Sequence, residues 1–257
     1  MSARTDYIAV FDSGLGGISV LRHLLRQMPG ERYLYFGDSA NAPYGSRTTE
    51  QVRSLTMAAV RHLMEEKPLK ALVLACNTAT AAAVKQLRSA YPELIVIGIE
   101  PALKVAADRF PGGRIGVMAT EVTLREEKFD ALLHRFDAGC SVTKIPMPGL
   151  VQLVEAGKAD SPEMDTLLRQ LLEKHTGTLD AVVLGCTHYP LAADAIRRVL
   201  GKQVVLLDGG EGTARETRRR LVKADLLENG AGELIVENSR EDPGMIRLAY
   251  DLLKQER

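Results

Sequence analysis

The sequence predicts an α/β fold of two domains, each a mainly parallel sheet flanked by helices. Three observations predict it. Apolar runs rich in Val, Ile and Leu recur along the chain, and most are followed by segments of helical period, the alternation that builds parallel sheets. The runs are nearly continuous in apolar residues, as strands buried on both faces must be. Two of the three cysteines, Cys76 in LVLACNTAT and Cys186 in VVLGCTHYP, close such runs in matched contexts, one in each half of the chain. Each half is therefore expected to carry its own small sheet.

Taken in order, a first strand at 7–11 runs into FDSGLGG, a Gly-rich turn that opens a helix over 17–27. A second strand at 32–36 ends in YFGDSANAPYGSRT, a polar loop shaped by Pro43 and Gly45, before a long helix at 49–66. The third strand, 71–75, delivers Cys76 to a helix at 79–90, and a fourth strand spans 94–99. Strands at 114–119 and 141–146 follow, with a helix at 124–136 between them. A helix at 164–175 leads to the strand 181–185 and Cys186. A helix at 192–200, a strand at 203–207, and helices at 212–221 and 243–255 complete the chain. IGIEP (97–101) is read as the first crossing between domains and LLDGG (206–210) as the return. The first domain is then discontinuous, 1–98 plus 209–257, and the second is 99–208.

Composition narrows the function. At 257 residues, 46% hydrophobic and 26% charged, the chain has the balance of an ordinary globular protein. Lys plus Arg equals Asp plus Glu at 33 each, so no basic excess argues for a nucleic-acid partner. The one dense basic cluster, Arg215, Arg218, Arg219 and Arg220, alternates with Glu211 and Glu216 and reads as a solvated helix face. The apolar run near the start is too short for a signal peptide, and no stretch approaches a membrane span. Three scattered cysteines do not form a disulfide framework. The expectation is a cytoplasmic protein with reduced thiols and no membrane partner.

The two cysteines sit where α/β proteins do chemistry. Ligands of open parallel sheets bind beyond the carboxyl ends of the strands. A helix that follows offers unpaired N–H groups and a positive dipole end. Both features favour a carboxylate ligand and lower a thiol's pKa from its free value of about 8.5. Asn77, Thr78 and Thr187 add side-chain donors beside the thiols. A single buried cysteine is commonly a small hydrophobe, and Cys140 in AGCSV is assigned to packing. Two cysteines in matched contexts point to chemistry instead. Cys-x-His at 186–188 also raises zinc, but the close C-x-x-C spacing of structural sites is missing, so no metal site is assigned. FDSGLGG fits only part of a dinucleotide fingerprint, with Ser19 in the third glycine position. Asp12 and Ser13 are left at its lip, as site residues or as helix caps. The loop after the second strand offers Asp38, Ser39, Asn41 and Tyr44 on a rigid scaffold.

FDSGLGG, YFGDSANAPYG, LACNTATAA, IGVMATEVT and LGCTHYPL, in this order, closely resemble the glutamate racemase family of the cofactor-independent Asp/Glu racemase superfamily. The resemblance runs from about Tyr7 to Gly210. It implies two pseudo-symmetric α/β domains with the active site in the cleft between them. It also implies interconversion of L- and D-glutamate with no cofactor, to supply D-glutamate for peptidoglycan, and a homodimer. One cysteine, as thiolate, would remove the α-proton from one face, and the other, as thiol, would protonate the opposite face. Inversion of a stereocentre needs an acid and a base on opposite sides, which gives the duplication a chemical reason. Carried over residue by residue, Cys76 and Cys186 are the catalytic pair, with Asp12 beside the first and Glu155 and His188 beside the second. Cys76 would act on D-glutamate and Cys186 on L-glutamate. Asp12, Ser13, Pro43, Tyr44, Gly45, Asn77, Thr78, Thr120, Thr123 and Thr187 would bind the substrate. Three positions depart from the family pattern: Asn41 replaces a common basic residue, Glu100 an apolar one, and Val122 stands where Gly is frequent.

Two other readings compete with this one. An aspartate racemase, or another cofactor-free enzyme acting on an α-proton, would share the fold and both thiols. A two-domain α/β binding protein would not need two matched thiols, and a Cys-His hydrolase would need one nucleophile with an adjacent base, leaving the second Cys-Thr pair unexplained.

Overall fold

The computed structural model describes residues 2–100, 102–125 and 139–254. The chain divides into two compact units, Met1–Glu100 with Gly210–Arg257, and Pro101–Gly209.

The first unit is a five-stranded parallel sheet in the order β4-β3-β1-β2-β9. Its strands are β1 (Tyr7–Asp12), β2 (Arg32–Gly37), β3 (Leu69–Leu74), β4 (Ile95–Gly98) and β9 (Glu233–Asn238). Every residue of β1 and β3 is buried, the burial that a central strand covered on both faces demands. Helices α1 (Ile18–Gln27), α2 (Thr49–Glu66) and α3 (Asn77–Ala90) connect the strands. The C-terminal segment returns with α9 (Gly210–Lys223) and α10 (Pro243–Lys254). Helix α2 starts from a complete capping box. Thr48 Oγ1 accepts from the Gln51 N–H at 3.2 Å, and Gln51 Oε1 accepts from the Thr48 N–H at 3.0 Å.

The second unit is a four-stranded parallel sheet in the order β6-β5-β7-β8. Its strands are β5 (Arg114–Ala119), β6 (Ser141–Pro146), β7 (Ala181–Leu184) and β8 (Val205–Leu207). Its helices are α4 (Leu103–Arg109), α5 (Glu121–Arg125), α6 (Leu150–Glu155), α7 (Pro162–Leu172) and α8 (Ala193–Leu200), with 3-10 turns at Glu173–His175 and Tyr189–Ala192. Ile115, Val117, Val183, Leu103 and Ala106 are among its buried core residues.

Counted within its own unit, each sheet has the same strand order, 2-1-3-4, with β9 added at one edge of the first. In each, the chain steps from the first strand outward to the second and then back across to the third. The switch point therefore lies between the first and third strands of each unit, where parallel sheets hold ligands.

Four elements differ from the expected pattern. Strand β9 was not anticipated, because ELIVEN has an apolar run of only three residues between polar ones and lies half-buried at an edge. Helices α4 and α6 are short, at 7 and 6 residues, below the span over which helical period stands out. The helix expected at 164–175 begins two residues earlier, capped by Ser161, whose hydroxyl accepts from the Met164 N–H at 3.2 Å, and it tightens to 3-10 over Glu173–His175. The helix expected over 124–136 lies almost wholly outside the described residues.

Candidate active site

Each unit presents one thiol at its switch point, just beyond the third strand. In the first unit the Ala75 N–H donates to the Phe11 carbonyl at 2.8 Å, and in the second the Gly185 N–H donates to the Met118 carbonyl at 2.7 Å. Asp38 N–H to Asp12 O (2.9 Å) is matched by Met147 N–H to Ala119 O (3.2 Å). These bonds tie the ends of the first three strands together in each unit. By the same register Cys76 corresponds to Cys186, Ser13 to Thr120, and Asn77 to Thr187.

The first unit gathers Asp12, Ser13, Tyr44, Asn77 and Thr78 around Cys76. The cysteine is 5% exposed. It sits in extended conformation as the N-cap of α3, and its sulfur accepts from the Ala79 N–H at 3.4 Å. Its Sγ lies 3.6 Å from the Ser13 hydroxyl. The expected helix N-terminus is therefore present at this thiol. Asp12 is fully buried and accepts from the Gly14 N–H at 2.9 Å. Helix α1 has Gly17 at its N-cap and no side-chain cap, so neither Asp12 nor Ser13 serves as its cap. Gly17 is needed for close approach, because a Cβ there would stand 2.7 Å from that of Asp12 and 3.1 Å from that of Ala75. Tyr35 pins the turn from below, donating to the Gly14 carbonyl at 2.6 Å.

Pro43 precedes a 3-10 turn at Tyr44–Ser46 that also contains Gly45. Tyr44 is buried against Phe11, and its hydroxyl donates to Asp38 at 2.6 Å. Burial, then the Asp38 bond and charge, with smaller contributions from Cys76 and Asp12, raise the phenol's pKa far above its ordinary value. Asn41 donates to both Asp38 oxygens at 3.0 and 3.1 Å, and Arg47 Nε donates to the Asn41 carbonyl at 2.8 Å. Asp38 is thus the buried hub that sets this loop. The sequence offered it as one polar loop residue among several, and only the geometry separates it from Ser39. Asn77 Oδ1 is a buried acceptor with no hydrogen-bond partner among the described residues, the kind of atom a ligand's N–H group satisfies.

The second unit gathers Glu155, Thr187 and His188 at Cys186. The Cys186 sulfur lies 3.7 Å from His188 Nδ1, and His188 Nε2 lies 2.6 Å from Glu155 Oε1. His188 is 2% exposed. Burial pulls its pKa down, but the hydrogen bonds and charges of Cys186 and Glu155 outweigh it, and the imidazole stands well above its ordinary value. Its Nδ1 faces the sulfur and its Nε2 the carboxylate. Glu155 is the last residue of α6, whose start requires a left-handed turn at Gly149 (φ 85°). The helix that follows Cys186, expected at 192–200, begins at Ala193, so no helix N-terminus stands directly at this thiol. A turn closes there instead, with the Tyr189 N–H donating to the Cys186 carbonyl at 3.1 Å, and a 3-10 turn leads to α8. The helix-dipole argument thus holds for Cys76, while an imidazole and carboxylate stand at Cys186.

Thr120 and Thr123 meet at 2.9 Å between hydroxyl oxygens, and Thr120 Oγ1 accepts from the Thr123 N–H at 3.3 Å at the start of α5. Val122 lies within that helix. Cys140 donates to the Phe110 carbonyl at 3.2 Å and packs against the second unit's core. Among the described residues, no group of three His, Cys, Asp or Glu side chains gathers as a metal centre, and no helix is long and apolar enough to cross a membrane.

Each unit thus carries a thiol just beyond its third strand, with hydroxyl and amide side chains beside the first and hydroxyl and imidazole side chains beside the second. Residues 9–217 match the family model described as Asp/Glu/Hydantoin racemase, and the chain belongs to that family. It is an amino-acid racemase, an isomerase. A glutamate racemase of Clostridium botulinum (strain Alaska E43 / Type E3) is 42% identical over 257 residues, covering 99% of each chain. The crystal structure of a glutamate racemase isoform from Bacillus anthracis superposes with a TM-score of 0.86 at 33% identity, covering 98% of this chain and 96% of the other. The Escherichia coli glutamate racemase, solved with L-glutamate and the activator UDP-MurNAc-ala, gives 0.82 at 31% identity, covering 95% of this chain and 92% of that one.

Proposed function

We propose that this chain interconverts L- and D-glutamate by a two-base thiol/thiolate mechanism without a cofactor. The observation that carries the reading is the pair of thiols at equivalent positions, after the third strand of two units with one strand order. The full-length similarity to glutamate racemases supports glutamate as the substrate.

In this reading the free enzyme holds one thiolate and one thiol, on opposite faces of the bound α-carbon. With L-glutamate, Cys186 takes the α-proton and Cys76 delivers its own proton to the other face. With D-glutamate the roles reverse, and each half-reaction restores the charge balance. The α-proton is weakly acidic, so donors placed around the substrate carboxylate must stabilise the developing carbanion. Ser13, Asn77, Thr78 and Thr187 with the Pro43–Tyr44–Gly45 backbone are assigned that work, and Thr120 and Thr123 complete the binding set. The unpaired Asn77 Oδ1 suits the substrate ammonium. Asp12 tunes the Cys76 side. Glu155 holds His188 protonated, and the imidazolium favours charge on Cys186. The cellular reading is supply of D-glutamate for peptidoglycan, in the cytoplasm, by a homodimer.

The test is incubation with each enantiomer of glutamate and of aspartate in deuterated water, without added cofactor. Cα deuteration is followed by mass spectrometry and optical rotation by polarimetry. Deuterium is expected in the product enantiomer of glutamate. Exchange confined to aspartate would move the substrate. Cys76→Ser and Cys186→Ser are each expected to lose at least about 10²-fold in racemisation, and full turnover by either variant in both directions defeats the two-base reading.

A further inference from the structure

Strand β9 supplies no residue to the site described above, yet its end reaches the loop that does. In the parallel pairing of β2 with β9, Gly37 stands opposite Asn238, so the two strands finish side by side. Beyond that level the contacts continue through side chains. Asn238 Nδ2 donates to the Ser39 hydroxyl oxygen at 2.9 Å, and Asn238 Oδ1 accepts from the Arg240 N–H at 3.0 Å. Ser239 Oγ accepts from the Ala40 N–H at 2.9 Å, and the Ser239 N–H donates to the Gly37 carbonyl at 3.0 Å. Asn238 is the one buried residue of β9, and Ser39 is buried against it. Burying an amide is costly unless its hydrogen bonds are made. Here both ends of the amide are engaged, so its directed bonds account for its place better than its bulk does. The loop is thereby held at two points. Ser39 and Ala40 are tied to β9, and just beyond them Asn41 and Tyr44 are tied to the Asp38 carboxylate.

We propose that Asn238, with Ser239 beside it, is a positioning residue for substrate binding, bracing the loop that presents the Pro43–Tyr44–Gly45 backbone. Both act through Ser39 and Ala40 rather than on the substrate itself. The opposite end of β9 supplies the contrast. There Glu233 pairs with Arg32 at 2.7 Å and accepts from the Tyr7 hydroxyl at 2.9 Å, so its loss loosens the same strand without touching the brace.

The inference rests on the proposed role of Pro43–Tyr44–Gly45 in holding glutamate, and its test is separable from that reading. Asn238→Ala, Ser239→Ala and Glu233→Gln are made in the full chain. Amide exchange of peptides covering 39–47 is followed by mass spectrometry without substrate, and KM and kcat are measured for both glutamate enantiomers. Asn238→Ala and Ser239→Ala are each expected to speed exchange at 39–47. Loss of one neutral hydrogen bond should raise KM about 2- to 10-fold for both enantiomers. The value of kcat should stay level, since a brace on a binding loop serves ground state and transition state alike. Glu233→Gln should move neither readout. Should Asn238→Ala fail to fold, Ser239→Ala, at a half-buried position, decides alone. Exchange at 39–47 unchanged in the folded variants overturns the inference. So does an unmoved KM in active variants, or a Glu233→Gln effect as large as that of Asn238→Ala, which would mean general loosening of β9. Faster exchange in a protein whose parent racemises neither enantiomer sustains the brace and sinks the proposed function instead.

Discussion

His188 is where opposing influences on one residue can be weighed. Burial alone lowers a histidine's pKa, yet Cys186 and Glu155 carry this one above its ordinary 6.5. Glu155→Gln keeps the shape and removes the charge at 2.6 Å. A hydrogen bond to a charged group contributes about 1.5–3 kcal/mol, so proton transfer through Cys186 is expected to slow by roughly 10- to 100-fold, measured as kcat in both directions. The linkage has a definite sign. A raised folded pKa gives stability that is fully present below the unfolded value and is lost as pH rises through the folded value. The thermal midpoint of the parent should therefore exceed that of Glu155→Gln most clearly below pH 6.5, and the gap should close as pH rises. A gap that widened with pH would contradict a protonated His188.

At the scale of elements, the two strand ends differ at one position for a steric reason. Ala75 precedes Cys76, but Gly185 precedes Cys186, because a Cβ at 185 would lie 2.9 Å from the Met118 carbonyl oxygen and 3.2 Å from the Ala119 Cβ. Backbone atoms yield little, so Gly185→Ala is expected to destabilise by about 1–3 kcal/mol, read from urea denaturation. It should also displace Cys186 relative to β5 and lower kcat. The matched Ala-Cys and Gly-Cys pairs were legible as sequence, and so were the central strands, because continuous apolar runs announce burial. The helices after each cysteine were legible too, but not how closely each one follows its thiol. ATAAAVKQL propagates a regular helix from Cys76, whereas Pro190 interrupts the chain after Cys186 and the 3-10 turn intervenes. Edge strand β9 was hidden by the shortness of its apolar run, Leu234 to Val236. The hub role of Asp38 depends on Tyr44 folding back across six residues, a contact no local pattern encodes.

At the scale of the whole molecule, the first unit is assembled from two distant parts of the chain, and a buried ion pair joins them. Lys70 and Glu31 have fully buried side chains 2.5 Å apart. The Lys70 ammonium also donates to the carbonyls of Arg4 and Leu226, the latter at 3.0 Å, and Glu31 Oε1 accepts from the Glu228 N–H at 2.9 Å. One pair thus holds the N-terminal segment, the start of β3, the approach to β2 and the segment that leads to β9. Such a pair adds little over a well-packed apolar substitute, but removing one partner strands a charge in the interior. Lys70→Met is accordingly expected to cost about 3–5 kcal/mol in urea denaturation. Lys70→Met with Glu31→Gln should recover part of that loss, since no buried charge remains and an amide oxygen can still accept from Glu228. Amide exchange locates the effect. Protection should fall in β3 and around 226–238, while β5 and β7, whose core belongs to the other unit, keep theirs. A double variant less stable than Lys70→Met would mean that Glu31 owes its burial to something other than the lysine.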